Sequence, residues 1–193
     1  PPTPPPPAPI SDAVPDATSA VVTTDEVWLK GTTHVHAKPS GDSSEPVEGV
    51  VRWYEQHHYD FIVLTDHNQV TEVGGSTRGS VAVHEQGLIV LAGVELTHNR
   101  NDCEPPGDES GKCRIHVNAL GVTARPVGRI VWPAKMSKVR VELYQQAFAI
   151  ARDLGAGVVQ INHPQYYWGM TPDVMIAISG GAQLVEIANQ QFT

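Results

Sequence analysis

Short apolar runs that lead into a histidine or a glutamate recur along the chain, and this feature constrains the fold most. Such runs, flanked by turn-forming residues, are typical of strands that are covered on both faces. We predict six strands, over residues 27–36, 61–64, 88–95, 115–120, 158–161 and 184–187.

Segments with helical periodicity separate several of these strands. Val47, Val50, Val51 and Tyr54 repeat at helical spacing after Pro46, which suits the first turn of a helix. Two further helices are predicted, over residues 143–154 and near residues 172–178. Alternation of strands and helices favours a parallel α/β architecture, either a barrel or part of one.

The chain of 193 residues is long enough for one domain with a buried core, which we expect over residues 25–193. Residues 1–24 are predicted to be a disordered spacer, because seven of the first nine residues are proline. The sequence has no initiator Met and no signal peptide, so we expect it to begin partway through a gene product or after processing. A Pro-rich spacer there favours an exported protein (periplasmic, lipid-anchored or extracellular), and the alternative is a linker in a cytosolic protein.

Two cysteines, Cys103 and Cys113, flank a segment rich in turn formers, where a local disulfide forms easily. Closing so short a loop would stabilise the fold by about 2–3 kcal/mol and would imply an oxidising compartment. The alternative is a pair of free thiols in a cytosolic loop.

The formal net charge of −8 argues against nucleic-acid binding through a basic patch, because such binding depends on Lys and Arg. Bound metal ions could still reverse the sign of the potential locally. No stretch approaches the roughly 20 apolar residues of a membrane span, so none is expected.

Six residues that can bind metals lie at or just beyond predicted strand ends: His34, His36, His67, Glu95, His116 and His163. In a parallel barrel the carboxyl ends of the strands converge on one face, which would bring these residues together. Imidazole and carboxylate ligands suit zinc, manganese or iron, and a carboxylate can bridge two ions.

Each candidate taken alone has a simpler interpretation. His34 and His36 share one face of a strand in any case, Glu95 could be a solvated strand end, and His116 could be a hydrogen-bonded core residue. The joint pattern favours the metal site. The remaining histidines are interpreted as surface or loop residues: His57, His58, His84 and His98.

These motifs resemble the polymerase and histidinol phosphatase (PHP) family of metal-dependent hydrolases, which are distorted (β/α)7 barrels. The resemblance covers roughly residues 27–190, and its motifs are Thr33-His34-Val35-His36, Leu64-Thr65-Asp66-His67-Asn68, Gly93-Val94-Glu95-Leu96, His116 and Asn162-His163-Pro164. The run Ser40-Gly41-Asp42-Ser43 is most similar to the carbaryl-hydrolase-like branch.

The resemblance implies a site with two or three divalent ions. His34, His36 and Glu95 would hold one ion, and Glu95 would bridge to a second ion held by His116 and His163. A third ion would lie near the residues His67 and Asp42.

Two acidic residues of these motifs have other expected roles. Asp42 could instead be a turn residue in its Ser-Gly-Asp-Ser loop. Asp66, predicted with Glu95 to serve catalysis, is expected to orient a ligand or water rather than to bind an ion itself.

One part of the family pattern is missing from this sequence. Family members usually have a late Asp-x-His motif that supplies further ligands, and the chain stops at Thr193 without one. We therefore expect a (β/α)7 barrel that is incomplete at its C-terminus, with another fragment or a second chain completing it, since an unpaired sheet edge is unfavourable. The alternative is a protein that lacks these ligands.

The function predicted from these features is hydrolysis by a metal-bridged hydroxide, most simply of a small phosphoester. Carboxylic or carbamic ester hydrolysis is the alternative suggested by the branch similarity, and a non-catalytic metal-binding module is a third possibility. Other enzyme classes have less support, because the Gly-x-Ser-x-Gly, P-loop and Gly-x-Gly-x-x-Gly motifs are absent.

Overall fold

The computed structural model describes residues 27–73, 81–84, 87–107, 111–166 and 170–189, which form a mixed α/β fold. The predicted spacer over residues 1–24 lies outside the described residues. No helix in the described part of the chain has the length and apolar character needed to cross a bilayer.

The predicted elements are present with shifted bounds. The strands are β1 (Gly31–Val35), β2 (Phe61–Leu64), β3 (Val81–Val83), β4 (Ile89–Asn101), β5 (Lys112–Leu120), β6 (Val158–Ile161) and β7 (Leu184–Val185). The helices are α1 (Val47–Gln56), α2 (Arg140–Asp153) and α3 (Pro172–Ile178), with short 3-10 turns at Lys38–Ser40 and Ser179–Gly181. The strand β3 was not expected from the sequence.

The strands form one sheet in the order β1-β2-β4-β5-β6-β7, with β3 paired antiparallel to β4. Pairing is parallel from β1 through β2 to the first part of β4, and again between β6 and β7. The prediction of a parallel arrangement is wrong at β5, which is antiparallel to both β4 and β6. The chain passes from β4 to β5 through a short loop, whereas a parallel pair needs a longer crossover connection.

The sheet is strongly curled. In a flat sheet β1 and β6, four places apart in the strand order, would be about 19 Å from each other. Here the Thr33 hydroxyl of β1 donates to Gln160 Oε1 of β6 over 2.7 Å, and Asn118 Nδ2 of β5 donates to the Thr33 carbonyl over 2.9 Å. The described strands therefore form a half-barrel with an inner face.

Two apolar clusters cover the outer face of this half-barrel. The larger packs α2 and α3 against β4, β5 and β6, and the smaller packs α1 against β1 and β2. On β5, Ile115, Val117 and Ala119 belong to the apolar cluster, so the alternate residues His116 and Asn118 face inward. Strand alternation thus separates an apolar outer layer from a polar inner face.

The predicted disulfide between Cys103 and Cys113 is present, with 6.1 Å between the two Cα atoms. Both side chains are buried, and the bond closes the loop between β4 and β5. This covalent link fixes the far end of the antiparallel β4–β5 ribbon.

Candidate metal centre

The carboxylate of Glu95 lies at the centre of five imidazole rings on the inner face of the sheet. Its side chain is fully buried. The nearest ring nitrogens lie 2.9 Å from a Glu95 oxygen for His36, His67 and His116, 3.4 Å for His34 and 3.6 Å for His163. The structure thus brings together all six residues of the first candidate set, and we call them the Glu95 cluster.

The fold explains this convergence, although one position differs from expectation. His34 and His36 lie at the end of β1, and His67 and His163 follow β2 and β6. His116 does not lie at a strand end but in the interior of β5. Because β5 is antiparallel to β4, with His116 opposite Thr97, its first half lies beside the second half of β4 and still reaches Glu95.

The two oxygens of Glu95 face different histidines. Oε2 lies near His34, His36 and His67, whereas Oε1 lies near His116 and His163. Four groups of described residues have ligand atoms within 4.8 Å of one another, and two of them contain Glu95: His34, His36 and Glu95 on one side, and Glu95, His116 and His163 on the other. A further group consists of His34, His163 and Glu186. A carboxylate in the position of Glu95 can bridge two cations.

Asp42 extends the cluster towards solvent. Its side chain is half exposed, and Oδ2 lies 2.9 Å from His36 Nδ1 and 3.2 Å from His67 Nε2. Burial raises the pKa of Asp42. Other contacts, which include hydrogen bonds from Ser40 and His36, outweigh this effect and lower the pKa overall. His36, Asp42 and His67 form the fourth group whose spacing suits a cation.

Asp66 is not placed to act on a substrate. It is completely buried, Oδ1 accepts the backbone N–H of Ala37 at 2.7 Å, and Oδ2 accepts from the hydroxyl of Thr71. It is also not among the residues that line the cavity of the cluster. Its contacts fix the backbone immediately after His36, which suits an orienting role rather than direct contact with a substrate.

Several polar residues that contact the cluster were not expected from the sequence. Asn162 Nδ2 donates to Glu95 Oε1 at 3.0 Å and to Asn118 Oδ1 at 2.8 Å. Glu186, just after β7, has both carboxylate oxygens within 3.2 Å of His34 Nδ1. Its segment, residues 184–187, was predicted as a strand. Glu186 follows apolar residues in that segment, just as Glu95 follows the apolar run of its own predicted strand.

The two ring nitrogens of His116 face different partners. His116 Nε2 lies 3.1 Å from Asn99 Oδ1, a carbonyl oxygen that can only accept. With its proton on Nε2, His116 would keep a lone pair on Nδ1, which lies 2.9 Å from Glu95 Oε1 and faces the centre of the cluster. Such outer hydrogen bonds commonly orient histidine ligands of metals.

The electrostatics of the cluster favour bound positive charge. Burial raises the pKa of Glu95, but contacts with His116, His163 and His34 hold it well below its usual value. Burial lowers the pKa of His34, but contacts with Glu186 and Glu95 raise it to about 10. A bound cation would take the place of such protons, since histidine binds a metal through an unprotonated nitrogen.

Two buried atoms of the cluster give a direct test of the fit to metal ions. Glu95 Oε2 and His116 Nδ1 are buried without a hydrogen-bond partner, although ring nitrogens or carboxylate oxygens lie nearby. The Nε2 atoms of His34 and His36 lie only 3.2 Å apart, so at most one proton fits between them. Leaving buried acceptors unpaired is costly, at about 1–3 kcal/mol each, and a coordinated cation would satisfy them. The donor set therefore fits bound metal ions.

The cluster lines a cavity of about 260 Å³. Its wall consists of His34, His36, Asp42, His67, Glu95, His116, His163, Tyr166 and Asn189. The guanidinium of Arg114 lies over the ring of Tyr166, 4.9 Å from its centroid, and places positive charge beside this wall.

The other histidines lie outside the cluster. His57 ends α1 and stacks on Trp53 with 3.9 Å between the ring centroids, and His58 follows it at the surface. His84 follows β3 and contacts the buried carboxylate of Glu55 at 2.7 Å. His98 is partly buried within β4 and stacks on Trp132, so its assignment to the surface or a loop is wrong.

Comparison with models of known protein families and with curated proteins gave no match. The geometry of the Glu95 cluster and the sequence motifs are therefore the observations from which a function can be inferred.

Proposed function

We propose that the protein is a metal-dependent hydrolase of the PHP type that cleaves small phosphoesters. The observation that carries this proposal is the fully buried Glu95 carboxylate, whose two oxygens face separate groups of histidines. His34, His36 and Glu95 would hold one divalent ion, and Glu95, His116 and His163 a second. The group of His36, Asp42 and His67 would suit a third ion.

The ions would be zinc, manganese or iron, because imidazole and carboxylate donors suit these metals. When bound, they would lower the pKa of water towards neutrality and polarise the oxygen of the scissile ester. The protein holds Glu95 in its charged form and orients it through Asn162. The cavity gives a substrate access to the partly exposed histidines around this carboxylate.

A phosphoester is the preferred substrate class because of the charge near the cavity wall. Arg114 lies over Tyr166, which lines the cavity beside His163, with 5.0 Å between the His163 and Tyr166 ring centroids. A cation there would favour a substrate that carries anionic oxygens. The similarity of the segment around Asp42 to the carbaryl-hydrolase-like branch supports carboxylic or carbamic esters as the alternative.

The proposal is tested by metal analysis and by turnover of activated esters. The purified wild type should carry at least about two equivalents of transition metal and should hydrolyse a nitrophenyl phosphodiester faster than a nitrophenyl carboxylic ester. Glu95→Gln should lower turnover by more than about 100-fold, because loss of even an outer hydrogen-bond partner of a metal ligand commonly costs 10–100-fold. Glu142→Gln, at an exposed position on α2, is the matched control and should keep full activity.

Two results would contradict the proposal: a well-folded wild type that binds no metal, or unchanged turnover in Glu95→Gln. Metal binding without turnover of either ester class would instead support the non-catalytic metal-binding module. Faster turnover of the carboxylic or carbamic ester would favour the alternative substrate class.

A further inference from the structure

Glu186 contacts two residues of the Glu95 cluster that lie in or just after strands far apart in the strand order, β1 and β6. Its Oε1 and Oε2 atoms lie 3.2 Å and 3.1 Å from His34 Nδ1, at the end of β1. Oε2 also accepts the backbone N–H of His163 at 2.9 Å, just after β6. The carboxylate thus joins the first strand of the sheet to the segment that follows β6.

The contact with His34 determines which ring nitrogen faces the centre of the cluster. An ionised carboxylate only accepts hydrogen bonds, so a proton on Nδ1 is required for this contact. The opposite nitrogen, Nε2, then carries the lone pair, and it lies 3.2 Å from His36 Nε2 and 3.4 Å from Glu95 Oε2. Glu186 therefore selects the form of His34 that can bind an ion together with His36 and Glu95.

The contact with His163 acts on the backbone rather than on the ring. His163 has a positive φ of 23°, an uncommon conformation for a residue other than glycine. The hydrogen bond from its N–H to Glu186 holds this turn, and the turn directs the ring towards Glu95 Oε1 and His116. One side chain thus orients a ligand of each of the two principal ion sites.

We propose that Glu186 is a positioning residue of the metal centre, which fixes His34 through Nδ1 and His163 through its backbone. The carboxylate is partly buried, with 14% of its side chain exposed, and both its oxygens are used in these contacts. This inference rests on the metal binding in the proposed function but not on hydrolysis.

The experiment compares Glu186→Ala and Glu186→Gln with the wild type in zinc-affinity titrations against a chromophoric chelator. Glu186→Ala should weaken zinc binding by about 10–100-fold, the usual cost of losing such a partner. Glu186→Gln should lose less than about 10-fold, because its carbonyl oxygen can still accept the proton of His34. Glu142→Ala, on the exposed face of α2, is the control and should bind zinc as the wild type does.

A second measurement on the zinc-loaded wild type keeps the test independent of how well the variants fold. Nuclear magnetic resonance should show a downfield, slowly exchanging proton on Nδ1 of His34, identified by its loss in His34→Gln. The proton should be lost or exchange rapidly in Glu186→Ala and remain in Glu186→Gln.

Three results would overturn the inference. They are wild-type zinc affinity in Glu186→Ala, an equal loss of affinity in Glu186→Gln and Glu186→Ala, and an unprotonated His34 Nδ1 in the zinc-loaded wild type. The last two would make Glu186 a direct ligand. A protein that binds zinc as described but hydrolyses no ester would contradict only the proposed function.

Discussion

At the scale of single residues, the position of Glu95 depends on a network of buried amides. Asn162 lies between Glu95 and Asn118, and its Oδ1 accepts from Gln160 Nε2 at 3.1 Å. Gln160 in turn accepts from the hydroxyl of Thr33 on β1. Buried polar groups of this kind stabilise one arrangement when every member is paired and are costly when one is missing.

Replacing Asn162 with Ala should therefore destabilise the fold. The substitution removes the partners of Asn118 Oδ1 and Gln160 Nε2, and both of these residues are at least 97% buried. We expect the free energy of unfolding in urea to fall by about 1–3 kcal/mol. Asn101→Ala, at an exposed position near the end of β4, should change it by no more than about 0.5 kcal/mol. Equal effects of the two substitutions would show that the network adds no stability.

At the scale of elements, β4 changes partners at Gly93. Its residues up to Ala92 pair in parallel with β2, and those from Gly93 onward pair antiparallel with β5. A Cβ atom at Gly93 would lie 2.7 Å from Val63 Cγ1 and 3.0 Å from the Ala119 carbonyl oxygen. The absence of a side chain lets β2 and β5 both approach β4 two residues before Glu95.

Gly93→Ala should destabilise the sheet by about 1–3 kcal/mol, the usual cost of overpacking a core. Gly180→Ala is the matched control, because its added Cβ atom would meet nothing within 4 Å. Thermal unfolding of the two variants measures the difference. If Gly93→Ala were as stable as Gly180→Ala, the close approach at Gly93 would not limit the packing of the strands.

At the scale of the whole molecule, the proposed metal ions would link distant parts of the chain. Ligands from β1, β4, β5 and the segment after β6 meet at one carboxylate. An ion that binds only the folded state stabilises it by mass action. Metal binding and stability should therefore be coupled.

Removal of metal with a chelator should lower the unfolding temperature, and added zinc should restore it. At a free zinc concentration about 1,000 times the dissociation constant, the stabilisation should be about 4 kcal/mol. Calcium should have little effect, because it prefers oxygen ligands. An equal effect of zinc on the wild type and on Glu95→Gln would place the stabilising ion outside the Glu95 cluster.

The sequence predicted the class of fold and the histidines of the cluster because both depend on local patterns. The run Phe61–Leu64 and the helical spacing of Val47–Gln56 are visible without tertiary information. The direction of β5 was not visible, because the alternating apolar and polar residues around His116 are compatible with either direction. The role of Glu186 depends on curvature that brings its segment to β1, and no local pattern records that contact.

The contact between His34 and Glu186 also has a kinetic consequence. The two residues are 152 positions apart, and contacts of such long range are slow to form because a large loop must close. Synthesis from the amino terminus delivers Glu186 long after the histidines of β1. We therefore expect high-affinity metal uptake to follow docking of the last described strand, so that the rate of metal uptake reports the final step of folding.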